Sequence, residues 1–234
     1  MTIRQKISLT PALFALYLAG RAEATPVTGS ANIAGNVTVS ASSILFSPTF
    51  TNAGAGTETG SFTGLTDGTI QSLTGGPATG NVFIPNFITF SGGTAAPIIF
   101  DLTYIAPGVG TVAACASAIP GAKCTPAGSP FTLFQLTSNT VIAALQLNGN
   151  SYIGSSGTGQ TPTITSGIFS TQTVAQGTVP QIAALFASGQ SISGITYSAS
   201  FATNNVVPEP APLGLVGLAL VAAGILTRRR LSRP

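Results

Sequence analysis

The chain has 234 residues, of which 44% are hydrophobic and only 6% are charged, and its formal net charge at pH 7 is +3. This length and hydrophobic content suffice for one sizeable core, so we expect one domain. The positive charge lies at the two ends, because residues 25–207 contain one cation, Lys123, against Glu58, Asp67 and Asp101. A nucleic-acid-binding protein needs a basic patch to displace counterions from phosphates, so the composition excludes nucleic acid as a partner.

The first segment, MTIRQKISLTPALFALYLAGRAEA, has a basic start, an apolar stretch and a small-x-small triplet that runs from Ala22 to Ala24. This layout is typical of a secretory signal peptide, so residues 1–24 are predicted to be a signal helix that is cleaved after Ala24. The alternatives are an uncleaved anchor or a buried helix. An anchor is disfavoured because the apolar run is shorter than the roughly 20 residues that span a bilayer. We therefore expect export.

Short apolar stretches separated by Gly, Pro and Asn clusters predict an all-β body over residues 25–205. The expected strands are GNVTVSA, FITFS, PIIFDLTYIA, FTLFQLT, TVIAALQLNG, TPTITSGIFSTQTVA and SISGITYSASFA. Period-two alternation predicts core-facing side chains in two of them: Val141, Ala143, Leu145, Leu147, Ile195, Tyr197, Ala199 and Phe201. Strands at this spacing, with little helical periodicity, favour an antiparallel β-sandwich or jelly roll.

Two local patterns stand out within this body. VPQIAALFASG predicts one short helix, because Pro180 suits the first turn and Gly189 the C-terminal cap. Asp67-Gly68, between SFTGLT and TIQSLT, predicts the two-residue turn of a hairpin.

Cys115 and Cys124 lie nine positions apart in the loop CASAIPGAKC. In an oxidising compartment such a pair favours a disulfide, and the alternative is two free buried thiols. Two thiols in a chain without histidine do not make a zinc site, which takes four ligands.

The residues of the body predict no catalytic centre, no metal site and no cofactor. A chain without histidine cannot form the usual Ser-His-Asp or Cys-His site, and its glycine-rich runs lack the lysine of a phosphate-binding loop. Glycoside hydrolysis by two of the carboxylates of Glu58, Asp67 and Asp101 stays formally open, although we expect no enzyme. Sugar binding through aromatic faces is a second open possibility, and Tyr152 is the tyrosine that we expect to be exposed.

The tail, residues 206–234, has three parts. The sequence Pro208-Glu209-Pro210 precedes an apolar run at residues 213–226, and Arg228, Arg229 and Arg230 follow. Extended to 17 residues, the run is about 25 Å long as a helix, slightly short of the roughly 30 Å hydrocarbon core but sufficient if the arginines extend to the interface. It predicts a transmembrane helix with the arginines on the cytoplasmic side. A buried core helix and an ordinary permanent anchor are the alternatives.

This order of Pro-Glu-Pro, single apolar span and arginine cluster resembles the PEP-CTERM sorting signal of Gram-negative bacteria, the signal of the exosortase substrate family. The resemblance implies an exosortase-like membrane enzyme as a partner, which recognises Pro208, Glu209 and Pro210 and processes the tail. It also implies exopolysaccharide or biofilm as the setting and exopolysaccharide as a further partner. The expected location is the inner membrane before processing, then the cell surface or extracellular matrix. The alternative function is a carbohydrate-binding β-sandwich module displayed at the surface.

Overall fold

A computed structural model describes residues 25–76, 79–93, 95, 97–154, 162–171 and 175–204. These residues form mostly β-structure, one α-helix and two 3₁₀ turns, Gly60–Phe62 and Ala113–Ala116. The strands are β1 (Ser30–Ser40), β2 (Ser43–Phe46), β3 (Thr49–Asn52), β4 (Asp67–Ile70), β5 (Gly80–Ser91), β6 (Ile98–Ile105), β7 (Lys123–Cys124), β8 (Thr132–Thr137), β9 (Thr140–Ile153), β10 (Thr163–Thr171), β11 (Ala175–Gln176) and β12 (Ser191–Thr203). The helix is α1 (Val179–Ala187).

Eight of the described strands close into an antiparallel ring in the order β1, β3, β4, β5, β6, β9, β10 and β12. The ring closes because β12 pairs with β1 along most of its length, with Ser30 opposite Ala202 and Val37 opposite Ile195. The other strands extend this wall: β2 pairs with β1, β8 and β11 pair with β9, and β7 pairs with β8.

The expected β-sandwich or jelly roll is therefore wrong, and the body is a closed β-barrel. A sandwich consists of two separate sheets, each with unpaired edge strands. Here β9 pairs with β6 along one edge and with β10 along the other, and β10 pairs in turn with β12, so the eight strands form one continuous wall. An eight-stranded barrel has an interior just wide enough for side chains to fill.

Aromatic side chains fill that interior. Among the described residues, nine rings form one network of edge-to-face and tilted contacts: Phe46, Phe50, Phe62, Phe87, Phe90, Phe100, Phe169, Tyr197 and Phe201. Phe201 lies at the centre of this network and is fully buried. Its ring centroid is 5.5 Å from those of Phe90, Phe100 and Phe169.

Glycines in the wall make room for these rings. Gly167 lies directly opposite Phe201, and a Cβ atom there would come within 2.5 Å of the ring carbon Cε1. Gly35 has the same relation to Tyr197, where the distance would be 2.8 Å. Glycine inside a strand often marks such a close approach.

Most of the predicted elements are confirmed. All seven predicted strands are present, and the residues that alternation placed on the core face in β9 and β12 are buried. The helix is present with Pro180 in its first turn and with Gly189 at positive φ just after its end. The predicted hairpin turn at Asp67-Gly68 is wrong. Gly68 is a buried residue of β4 whose lack of a side chain admits the ring of Phe50.

The helix α1 is fastened to the barrel by a buried amide. Gln135 of β8 has no exposed surface; its Oε1 accepts a hydrogen bond from Val179 N at 2.7 Å, and its Nε2 donates to Thr137 O at 2.6 Å. At the other end of the helix, the ring of Phe186 packs edge-on against Phe131, with centroids 5.8 Å apart.

The two ends of the barrel differ in what they carry. The near end holds the first and last residues of the barrel chain, because Thr203 N donates a hydrogen bond of 3.0 Å to Gly29 O. The far end holds the turn between β8 and β9 and the start of β12. The chain therefore enters and leaves the barrel at neighbouring positions.

Candidate functional site

The residues predicted for export and sorting lie outside the described part of the chain. They are Ala22 and Ala24 of the signal cleavage site, Pro208, Glu209 and Pro210 of the sorting motif, and Arg228, Arg229 and Arg230 of the membrane stop. The signal helix and the tail helix fall there too. Within the described ranges, no helix is both long enough and apolar enough to cross a membrane.

The disulfide between Cys115 and Cys124 is confirmed. The two Sγ atoms lie 2.07 Å apart and the two Cα atoms 5.1 Å apart, with Cys115 in a 3₁₀ turn and Cys124 in β7. Both residues are buried. The bond thus closes a short loop outside the barrel wall, beside Lys123, whose Nζ lies 5.5 Å from the centroid of Phe134.

The three carboxylates of the body are dispersed over different elements. Glu58 lies in the loop between β3 and β4, Asp67 begins β4, and Asp101 lies in β6. Among the described residues, no group of three or more His, Cys, Asp or Glu side chains comes together to hold a metal ion.

Two of these carboxylates accept hydrogen bonds from N–H groups of other residues. Asp101 is 4% exposed, and its Oδ1 accepts a hydrogen bond of 2.7 Å from the backbone N–H of Asn86, in an irregular stretch of β5 where Asn86 has a φ of 51°. Glu58 accepts hydrogen bonds from the Asn52 side chain and from Gly56 N. The bond from Asn52 is the main reason why the pKa of Glu58 lies below its usual value. Each carboxylate therefore stabilises a loop or a bulge.

The three tyrosines among the described residues separate into one core residue and two on the outer surface. Tyr197 is buried inside the barrel, and among the described residues its hydroxyl has no hydrogen-bond partner. Burial raises its pKa far above the usual value. Tyr104 of β6 and Tyr152 of β9 are both partly exposed.

Tyr152 ends a row of polar side chains on the outer face of β9. The inward residues of this strand include Leu145 and Leu147, so the alternate residues Gln146, Asn148, Asn150 and Tyr152 face outward. We call these four residues the β9 row. The row spans about 20 Å, since six residues separate its ends at about 3.4 Å per residue.

Neighbouring strands flank the β9 row in a defined register. On the β6 side, Tyr104 lies opposite Asn148, and Asp101 lies opposite Asn150. On the β10 side, Ser166 lies opposite Asn148. The row thus ends at Tyr152, has Tyr104 beside its middle, and carries amides at its other three positions.

The phenol of Tyr152 remains protonated near neutral pH. Burial raises its pKa, and the negative charge of Asp101 raises it further, against a side-chain hydrogen bond with Asn150 that lowers it. Tyr152 therefore presents a neutral O–H group, which both donates and accepts hydrogen bonds.

An open groove lies beside Gln146, at the end of the β9 row opposite Tyr152. The barrel neighbour β6 and the outer strand β8 pair with successive parts of the same edge of β9, and the groove opens where they separate. We call it the fork groove. It has a volume of about 180 Å³, and its lining includes Pro107, Val109, Pro130, Gln146 and Ile168. Val109 and Ile168 are exposed, at 62% and 58%.

Sequence reasoning missed the amides of this face. The stretch QLNGNSYI carries the signal, because its polar residues alternate with the buried leucines of β9. Alternation identifies which side chains face outward, but the position of Tyr104 beside Asn148 depends on the pairing of strands distant in sequence.

Comparison with known proteins adds no relative of this chain. No protein-family model, curated protein or solved structure matches it. A function must therefore be inferred from the residues of the chain itself, namely the tail motif and the barrel surface.

Proposed function

We propose that the chain is an exported bacterial protein of the cell surface or extracellular matrix, sorted by an exosortase-like membrane enzyme and associated with exopolysaccharide. The observation that carries this proposal is the three-part tail. Proline fixes φ and has no N–H to donate, so Pro208 and Pro210 are expected to disfavour a helix around Glu209 and to leave its peptide bonds accessible to an enzyme. The apolar span and the arginines that follow then hold the chain at the bilayer during processing.

The position of the chain ends supports this proposal. The signal segment precedes Thr25 and the tail follows Asn204, and the residues next to these positions lie at the near end of the barrel, where Val27 N donates a hydrogen bond to Thr163 Oγ1. Asn204 N donates a hydrogen bond to Ile164 O, one position along from the contact between Thr203 and Gly29. Both segments with a predicted membrane role therefore join the described chain at the same end of the barrel.

The disulfide and the low charge support export as well. Disulfides persist in oxidising compartments and are rare in the cytosol, and the cysteines at positions 115 and 124 form one. The described residues contain one cation and three carboxylates, so hydroxyl and amide groups dominate the polar surface.

A second candidate function is display of a carbohydrate-binding barrel at the surface. The β9 row favours it, because amides and a protonated phenol are exposed together beside a groove with apolar walls. Such groups match the hydroxyls and the C–H faces of sugars.

Alanine substitution of Pro208, Glu209 and Pro210 together tests the sorting proposal. In the native host, the variant is expected to stay in the inner membrane with its tail attached, whereas the wild type reaches the envelope or medium. Pro212→Ala is the matched control, because it removes a nearby proline outside the motif and should leave sorting unchanged. Equal distribution of the triple variant and the wild type would contradict recognition of the motif and favour a permanent anchor.

A further inference from the structure

The β9 row offers hydrogen-bonding groups that the fold does not use. Within the described part of the chain, the side-chain amides of Gln146 and Asn148 make no hydrogen bond with another residue, and both are at least partly exposed. An amide provides two donors and an acceptor with two lone pairs. A ligand rich in hydroxyl groups can satisfy all of these at once.

Apolar surface accompanies these amides at both ends of the row. At one end, the fork groove presents Pro107, Val109 and Ile168 around Gln146. At the other end lies the ring of Tyr152, with Ile99 opposite it on β6. A sugar ring has polar edges and two faces of C–H groups, so alternating amide and apolar contacts suit successive sugars of one chain.

The charges near the row favour a neutral ligand. Asp101 is the charged residue opposite the row, and its carboxylate is buried beneath the β5 bulge. Lys123, the one cation in the described ranges, lies on β7, which reaches β9 through β8 at Ile142. That point is four residues from Gln146, the nearest residue of the row, and ten residues from Tyr152, or roughly 14 and 34 Å along the strand. An acidic polysaccharide would find no cation along the row to balance its charge.

We propose that the β9 row and the fork groove together bind one chain of an uncharged polysaccharide, laid along β9. Sugar rings rest against Ile168 in the groove and against Tyr152 at the other end, and the amides of Gln146 and Asn148 hydrogen-bond the hydroxyls between them. This inference deepens the proposed association with exopolysaccharide and rests on it for biological context. The binding itself is a property of the barrel surface.

Binding is measured with the full chain purified in detergent, by affinity electrophoresis through gels that contain one polysaccharide each. The probes are dextran and a mixed-linkage β-glucan as neutral polymers, alginate as an acidic polymer, and the neutral fraction of the host's own exopolysaccharide. We expect at least one neutral polymer to retard the protein and alginate to leave it unretarded. Because this measurement needs no sorting, a failure of binding is distinguishable from a failure of the tail to direct the chain.

The variant Asn148→Ala/Tyr152→Ala is expected to weaken binding at least about tenfold, as loss of two central contacts does in other recognition surfaces. The matched control is Asn36→Ala/Thr51→Ala, which removes one amide and one hydroxyl from exposed positions on β1 and β3. It should bind as the wild type does. Tyr152→Phe, which keeps the ring and the fold, should fall between the two.

Three results would overturn the proposal. One is the absence of retardation by every neutral polymer. Another is equal binding by the wild type and by the double variant at positions 148 and 152, with an unfolding transition that shows both to be folded. The third is stronger retardation by alginate than by any neutral polymer.

Discussion

The inward-facing and outward-facing residues of β9 belong to one strand but have different roles. Inward, Leu145 and Leu147 are buried in the hydrophobic core of the barrel. Outward, the side chains of Asn148 and Asn150 are partly exposed. The difference teaches that filling the barrel interior uses alternate residues of β9. The remaining positions are free to carry a binding surface.

The largest expected effect on stability comes from removing a side chain at the centre of the barrel interior. Phe201→Ala removes a fully buried ring that contacts three others, so it should lower the free energy of unfolding by about 3–5 kcal/mol. Phe83→Ala is the matched control: this ring on β5 is 71% exposed, so its loss should change stability by less than about 0.5 kcal/mol. Urea unfolding measures both. Equal effects would mean that the interior ring network does not hold the barrel together.

The disulfide offers a third case for comparison, because the loop that it closes lies outside the barrel wall. Replacing both Cys115 and Cys124 by alanine should lower the free energy of unfolding by about 2–3 kcal/mol, because the unfolded chain gains the entropy of an open loop. Urea unfolding of the wild type with a reductant provides the control and should approach the variant's midpoint. An unchanged midpoint in both would show that the bond contributes nothing to stability.

Tyr197 tests how much stability is lost when a polar atom lies in the apolar interior of the barrel. Tyr197→Phe removes a buried hydroxyl that has no partner among the described residues, so stability should rise by about 1 kcal/mol. The pKa of Tyr197 is raised in the folded state, so the unfolded state alone loses this proton above its ordinary pKa near 10. The wild type should therefore lose stability as pH rises past about 10, and the Phe variant should lose less. Urea unfolding at each pH measures the stability of both proteins. A parallel loss of stability in the two would contradict this burial effect.

The smallest expected effect on stability comes from changing an outward-facing residue of β9. Asn148→Ala removes an exposed amide without a described side-chain partner, so it should change the free energy of unfolding by less than about 0.5 kcal/mol. Asn52→Ala is the contrasting amide change, because it removes donors to Leu65 O and Glu58 and should destabilise the loop between β3 and β4. A large loss of stability in the Asn148 variant would assign the β9 row to the fold and weaken its role as a free surface.

Local patterns in the sequence identified much of the fold. Period two in β12 identified Ile195 and Phe201 as core residues, and Pro180 with Gly189 located α1, because each of these signals depends on neighbours within one element. Barrel closure left no such signal. It depends on β10 pairing with β9 as well as with β12, and on β1 meeting a strand more than 150 residues away.

Wall glycines explain the failed turn prediction. Asp-Gly between two apolar stretches usually marks a hairpin. Gly68 instead faces Phe50 across a strand pair, and that partner is known only once the register of β3 and β4 is known. The candidate site depends on strand register in the same way. The polar residues of QLNGNSYI can be read from the sequence, but their neighbours Tyr104 and Asp101 belong to β6 and are known only from the pairing of β6 with β9.

The central claim is that the barrel is exported and that its tail is processed at the membrane. Intact-mass analysis of the protein isolated from the cell fractions of its native host tests this most directly. We predict a species that begins at Thr25 and has lost the arginine-containing tail, found in the envelope or the medium. A polypeptide of all 234 residues, recovered from the cytosol with both ends intact, would contradict the account.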